Sequence, residues 1–317
     1  MRKLALSDEI LLKVDKAARY IGGEVNSVMK DKNAVDIRFA MCFPDVYEIG
    51  MSNLGMMILY NMFNQREDVW CERLFSPWPD LDKVMREKKI PLFALESQEP
   101  IRDFDFLGIT IGYEMCYTNI LQVLDLSGIP LKSADRGEDF PIVIGGGACA
   151  YNPEPLAPFF DMFYIGEGET VYDALFDAYK ANKKAGGSRK DFLLAAAKIP
   201  GIYVPSLYEV TYKEDGTIAS FAPTADGVPE KVQKQLIIDM EKEYRAVEAP
   251  VVPHIKATQD RVTLEIQRGC IRGCRFCQAG MIYRPTRERD VETLKESARI
   301  MLKNTGHEEI SLSSLSS

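Results

Sequence analysis

Ala34-Val-Asp-Ile-Arg-Phe-Ala-Met-Cys-Phe-Pro-Asp-Val-Tyr-Glu-Ile-Gly50 decides the fold. Its first half is a short apolar run, read as a strand over 35–42, and its second half is a polar loop closed by glycine. The unit then repeats. Strand-like runs follow at 69–74, 106–111, 142–144 and 162–165, with helical spacing between them at 54–64, 80–88, 119–127 and 169–184. Strands that are apolar almost throughout, alternating with helices, predict a parallel sheet covered on both faces. Ligands of such sheets bind beyond the carboxyl ends of the strands. That directs attention to Asp45-Val-Tyr-Glu-Ile-Gly50, Thr110-Ile-Gly-Tyr-Glu114, Gly145-Gly-Gly147 and Gly166-Glu-Gly-Glu169.

The domain predicted over 34–184 is therefore α/β, a flavodoxin-like doubly wound parallel sheet. Upstream, 1–33 is read as an N-terminal helical segment, with Ile10, Leu11, Val14 and Ala17-Ala18 spaced for a helix over 8–20. The stretch 71–95 reads as inserted material. Downstream, 185–260 breaks the alternation and reads as a connector, with a hairpin over 208–221 turning at Glu214-Asp-Gly216 and a charged run at 241–245. The last part, 261–317, resumes a strand at 261–267, a helix at 291–303 and a second strand at 309–312.

Composition narrows the class. The chain of 317 residues is 46% hydrophobic and 27% charged, an ordinary globular balance, and its net charge of -8 argues against a surface wholly given to nucleic acid. Its start lacks an apolar leader and no run reaches membrane-spanning length, which predicts a cytoplasmic protein with no membrane partner. Seven cysteines, three of them clustered, suit a reducing compartment without disulfides.

Those three are Cys270, Cys274 and Cys277, in Arg268-Gly-Cys-Ile-Arg-Gly-Cys-Arg-Phe-Cys-Gln-Ala-Gly280. Three thiolates favour a soft metal or an iron-sulfur cluster, and a cubane held by only three of them keeps one iron open to another molecule. A structural zinc site would want a fourth ligand, and His254 and His307 lie well outside the loop. The C-x3-C-x2-C spacing, with Phe276 before the last cysteine, resembles the signature of radical S-adenosylmethionine (radical SAM) enzymes. The resemblance implies a [4Fe-4S] cluster on Cys270, Cys274 and Cys277 and S-adenosylmethionine chelating the open iron. It further implies Phe276 near the adenine, Gly269, Gly273 and Gly280 allowing a tight wrap, and an electron donor such as flavodoxin or ferredoxin. It makes 261–317 the start of a partial (β/α) barrel. In it Ser313 and Ser314, in the closing run Ser313-Ser-Leu-Ser-Ser317, would meet the amino group of S-adenosylmethionine.

The order of elements in 34–184 resembles the cobalamin-binding domain that precedes the barrel in one class of these proteins. That class coordinates cobalt with the histidine of an Asp-x-His-x-x-Gly loop, whereas Tyr47 stands at the histidine position here. Tyr47, Gly145 and Gly146 are the residues carried over to a corrin or its nucleotide tail, and the replacement leaves cobalamin binding open. A second resemblance competes with it. Cys42, Cys116 and Cys149 fall near the ends of three expected strands, as in methylthiotransferases with a second iron-sulfur cluster, although buried cysteines also serve as packing.

Arg268, Arg272, Arg275, Arg284, Arg287 and Arg289 crowd the cysteine loop of an otherwise acidic chain. Cations there would stabilise an anionic cluster, or receive an anionic substrate such as RNA. One and a half barrel repeats cannot bury their own apolar faces, so the sequence is expected to be the amino-terminal part of a longer enzyme, carrying the cluster ligands without turning over. Three functions remain open: a radical SAM enzyme of the cobalamin-domain class, with methyl transfer as one candidate reaction; a methylthiotransferase-like enzyme; and a metal-binding interaction module without turnover.

Overall fold

A computed structural model describes residues 3–244 and 246–316. Arg245, at the end of the expected charged run, and Ser317, at the end of the serine run, lie outside the described residues, as do Met1 and Arg2. Strands β1 (Ile37–Phe43), β2 (Val69–Phe75), β3 (Phe106–Thr110), β4 (Ile142–Gly146), β5 (Met162–Tyr164) and β6 (Ile202–Tyr203) form one sheet in the order β2-β1-β3-β4-β5-β6. The first five are parallel and β6 runs antiparallel along β5. This is the doubly wound order, whose switch point lies between β1 and β3. The edge strand β6 departs from the expectation: its sequence, Pro200-Gly-Ile-Tyr-Val-Pro205, reads as connector because a two-residue strand within four residues between prolines carries no periodicity.

Alternate strand residues face opposite sides, and each side has its own helices. Helices α1 (Asp8–Leu11), α2 (Tyr47–Gly50), α3 (Leu54–Asn64), α4 (Pro79–Lys88), α5 (Tyr117–Leu126), α6 (Tyr172–Lys184) and α7 (Arg189–Ala196) follow in chain order. Phe39 and Phe106 pack with Phe63 of α3, Phe176 of α6 and Phe192 of α7. Across the sheet, Cys42, Leu107 and Val143 pack with Met85 of α4 and Val123 of α5. Asn53 caps α3 by accepting from Met56 N, which fixes that helix at the carboxyl edge of the sheet.

Two expectations need correction. The leading helix stops at Leu11 instead of reaching residue 20. Tertiary partners compete for the rest: Asp15 N donates to Asp80 Oδ2 at 2.7 Å, and Arg19 forms a two-pronged pair with Glu48. Nor is 71–95 an insertion. It completes β2, forms α4 and begins the crossover that carries the chain past β1 to β3. The crossover supplies Glu96, which with Glu24 encloses the buried guanidinium of Arg73.

The connector begins with a hairpin of β7 (Tyr208–Tyr212) and β8 (Ile218–Pro223) and continues as a strap. The strap bonds to both neighbours. Ala246 O and Pro250 O accept from Asn61 and Asn26 of the leading domain, while Lys234 Nζ donates to Ile282 O and Arg284 O beyond it. The final part contains β9 (Val262–Glu265), β10 (Gln267–Arg268), α8 (Gln278–Ile282), β11 (Arg287–Glu288), α9 (Val291–Thr305) and β12 (Ile310–Ser313). Strand β12 lies parallel to β9, and α9, capped by Asp290, covers Val262 and Leu264 with Met301. This is the strand, helix and strand arrangement expected at the opening of a barrel.

Candidate functional site

A cleft of about 450 Å³ opens at the carboxyl edge of the sheet. Met41, Thr110 and Gly146 come from the strand ends, Asn53 and Gly55 from the start of α3, and Glu167 and Glu169 from the loop after β5. The opposite wall is the barrel start, through Glu265, Arg268, Tyr283 and Ser313. Glycine makes the space. A Cβ on Gly108 would stand 2.3 Å from the Phe39 ring, whereas one on Gly146 would meet nothing within 4 Å.

Of the two glycines carried over to a corrin, Gly146 lines this cleft and Gly145 does not. Neighbours on a strand face opposite ways, and a Cβ on Gly145 would strike Phe163, Ile111 and Phe160 on the far side of the sheet. Tyr47 is also absent from the cleft. It is 1% exposed, its hydroxyl donates to Glu24 Oε1 at 2.9 Å and accepts from His254 N at 3.3 Å, and its ring packs on Phe75. Burial raises its pKa far above the ordinary phenol value, so it stays neutral and locked to the leading segment and the strap.

Beyond β9 the chain forms a loop closed at its neck by two facing pairs, Gln267 with Glu288 and Arg268 with Arg287. Gly269 begins the loop at φ +83°, and a Cβ there would lie 2.4 Å from Pro285 O and 2.7 Å from Tyr283 O. Only glycine fits that turn. Cys270 and Cys277 are half-buried and Cys274 is exposed, with Cys277 at the N-cap of α8. Their side chains are not drawn together: among the described residues no three Cys, His, Asp or Glu side chains stand arranged to hold a metal ion. The donor set nonetheless suits a three-thiolate cluster. A hydrogen bond from Ser316 and the N–H of Arg272 hold the Cys270 thiol below its ordinary pKa, favouring the thiolate. His254 Nε2 is turned to Gly22 O at 3.2 Å, and His307 lines a separate crevice with Met51, Pro253 and Met301, so neither histidine is drawn towards the loop.

The other three cysteines differ. Cys42, Cys116 and Cys149 all lie within the apolar cluster on the α4 and α5 side, and burial raises each thiol above its ordinary pKa. Cys116 Sγ donates to Tyr113 O. Neutral buried thiols are packing groups.

The residues carried over for S-adenosylmethionine are dispersed around the loop. Ser313 lines the cleft, while Ser314 Oγ stands 2.8 Å from Ser316 O and 3.2 Å from Gln267 Oε1. Gly280 is buried beneath the loop, with the Arg272 carbonyl 3.8 Å from where its Cβ would be. Phe276 is 92% exposed.

The six arginines do not form one basic surface. Arg272, Arg275 and Arg284 are exposed around the cysteines, but Arg268, Arg287 and Arg289 are buried. Arg268 meets Glu169 at 2.6 Å, Glu265 at 2.9 Å and Glu167 at 3.3 Å, and Arg287 meets Glu167 at 2.8 Å. Arg289 lies over the Tyr244 ring at 4.3 Å. Burial opposes the charge of both partners, yet the pairing prevails: the pKa of Arg268 is raised and that of Glu167 lowered. Half of the expected anion-binding patch is therefore turned inward: Arg268 and Arg287 form ion pairs that dock the barrel start to the leading domain, and Arg289 stacks on Tyr244 of the connector. In the sequence these acids read only as part of a glycine-rich loop; the signal for their pairing is the alternation of Gly and Glu at 166–169 together with arginines flanking the cysteines.

Residues 55–205 match the family of radical SAM proteins, N-terminal. An uncharacterized protein of Methanocaldococcus jannaschii is 26% identical over 256 residues, which span 80% of this chain and 44% of the relative. Among solved structures, the radical S-adenosylmethionine methyltransferase TsrM from Kitasatospora setae, with tryptophan and a SAM analogue bound, aligns at 14% identity. Its TM-score is 0.45, over 87% of this chain and 47% of TsrM. The cobalamin-dependent S-adenosylmethionine radical enzyme OxsB, with aqua-cobalamin bound, aligns at 17% identity and TM-score 0.48, over 84% of this chain and 32% of OxsB. The chain spans less than half the length of these relatives. Residues 55–205, which carry most of the doubly wound sheet, are thus similar to the N-terminal part of radical SAM proteins, and the cysteine loop lies beyond the matched stretch.

Proposed function

We propose that this chain carries the cluster-binding and cofactor-binding parts of a radical SAM enzyme. The observation that carries the reading is the position of Cys270, Cys274 and Cys277 at the carboxyl end of β9, beside the parallel β12 and across from the cleft. The three thiolates would hold a [4Fe-4S] cluster by three of its irons. When bound, that cluster supplies the electron, received from a flavodoxin or ferredoxin, that splits a carbon-sulfur bond of S-adenosylmethionine. The chain's own residues position and shield. Ser313 and Ser314 would meet the amino group of that cofactor, Gly280 would permit the tight wrap of the loop, and Phe276 would pack near its adenine.

The cleft would take a corrin or its nucleotide tail in this reading, with Gly146, where a Cβ would meet nothing within 4 Å, admitting a flat ligand close to the backbone. No histidine lines it, and Tyr47 is committed to Glu24. A corrin held there would find no imidazole in the cleft wall. Methyl transfer is the reaction class we assign, on an unidentified substrate, in the cytoplasm. The two-cluster reading is disfavoured by the packing of Cys42, Cys116 and Cys149 into the apolar cluster on the α4 and α5 side.

Metal and corrin analysis of the anaerobically purified full-length protein tests this. About four irons per chain, lost together when Cys270, Cys274 or Cys277 becomes alanine, with retained aqua-cobalamin, is the expected result. About eight irons would favour a second cluster, and zinc or no metal would favour an interaction module.

A further inference from the structure

The neck of the cysteine loop places two like charges opposite each other. Arg268 and Arg287 are facing partners of the β10 and β11 ladder, and both are buried. Facing like charges destabilise a strand pair, and buried ones more so, unless an anion stands between them. One does. Glu167 Oε2 lies 3.3 Å from Arg268 Nη1 and accepts from Arg287 Nη1 at 2.8 Å, while its Oε1 lies 2.8 Å from Arg287 Nη2. The carboxylate is itself held, because Ile237 N of the strap donates to Oε2 at 2.9 Å.

Contacts continue from this carboxylate to the first cysteine. Arg287 Nε donates to Pro285 O at 2.9 Å and its Nη2 to Tyr283 O at 3.1 Å, fixing the returning limb of the loop. Those are the two carbonyls against which Gly269 packs, immediately before Cys270. Arg268 retains Glu169 and Glu265 if Glu167 is neutralised, whereas Arg287 has no other carboxylate partner among the described residues.

We propose that Glu167 is the positioning residue of the cysteine loop: its carboxylate, supplied by the leading domain, sits between Arg268 and Arg287 at the neck and sets where Cys270 stands relative to Cys277. The inference rests on the reading of that loop as the cluster site. Because Glu167 also lines the cleft, one side chain touches both the cleft and the loop's support.

The test compares Glu167→Gln, which keeps the shape and loses the charge, with Glu167→Asp, which keeps the charge, in the full-length protein. Amide exchange is first measured without metal. Glu167→Gln is expected to speed exchange across 269–286 by about tenfold over β1 and β3, with Glu167→Asp between it and the wild type. In the reconstituted protein, Glu167→Gln is expected to need at least about fivefold more S-adenosylmethionine to shift the paramagnetic signal of the reduced cluster, and Glu167→Asp to recover most of that loss. Exchange over 269–286 that matches the wild type in both variants, or that rises no more than in β1 and β3, overturns the proposal. A wild type that binds no iron overturns the proposed function instead, and the exchange comparison still decides the role of Glu167 at the neck.

Discussion

In the leading sheet Phe39, Phe63, Phe106 and Phe176 close ring against ring, whereas between β9 and α9 only Val262, Leu264 and Met301 form a buried cluster among the described residues. The first region is stabilised by area and by edge-to-face aromatic pairs, each worth about 1 kcal/mol beyond its burial. The second is placed by charge and by hydrogen bonds to the strap, through Glu167, Glu169 and Lys234. A barrel start with so small a core takes its position from its neighbour. The difference teaches that the cysteine loop is held from the leading domain as much as from its own strands.

Cutting into the aromatic cluster gives the largest expected effect. Phe63 packs on Phe39 at 4.9 Å and Phe176 at 5.0 Å, so Phe63→Ala is expected to cost about 4 kcal/mol in urea unfolding. A loss under about 1 kcal/mol would remove the contrast between the regions. Met301→Ala comes next, at about 2 kcal/mol or more. Its signature is regional: faster amide exchange in β9 and α9 while β1 and β3 keep their protection. Equal loss in both would make them one cooperative unit.

A smaller effect tests the charges that tie the leading segment to the sheet edge. Burial opposes ionisation of Glu48, but hydrogen bonds from Arg19 and Lys16 outweigh it and bring its pKa down to about 2 from 4.5. A depressed folded pKa means that the stabilisation is complete above about pH 4.5 and is lost as pH falls through about 2. The melting-temperature gap between the wild type and Glu48→Gln should therefore stay level from pH 7 to pH 5 and narrow below about pH 4.5. A gap that persists unchanged to pH 3 contradicts this pairing. The smallest effect belongs to the hairpin, where Tyr212 is exposed. Tyr212→Ser should change stability by less than about 0.5 kcal/mol.

The same contrast explains what was legible in the sequence. Runs such as 106–110 and 142–144 are buried on both faces, so their composition alone betrays a parallel strand. Charges at Arg38, Glu72 and Arg73 did not break β1 and β2, because they are paired with each other and with Glu24, Glu96 and Glu99. The order of strands, the hairpin turn and the start of the barrel followed from local pattern. Direction did not. Gly145 and Gly146 are one residue apart and face opposite sides of the sheet, and Arg268, Arg287 and Arg289 cluster in sequence yet point away from the surface that Arg272, Arg275 and Arg284 share. The carboxylates that turn Arg268 and Arg287 inward lie about a hundred residues upstream, at 167 and 169, beyond any periodicity. Tyr47 was misplaced for a related reason: its partners, Glu24 and the His254 backbone, come from two distant segments that meet only in the fold.

The central claim is that Cys270, Cys274 and Cys277 hold a cluster with one iron open to S-adenosylmethionine. Electron paramagnetic resonance of the reduced, anaerobically reconstituted full-length protein, recorded before and after S-adenosylmethionine is added, addresses it most directly. The account predicts a [4Fe-4S] signal that changes shape on addition and vanishes in Cys274→Ala. A protein that takes up no iron, or a cluster signal indifferent to S-adenosylmethionine, would contradict it.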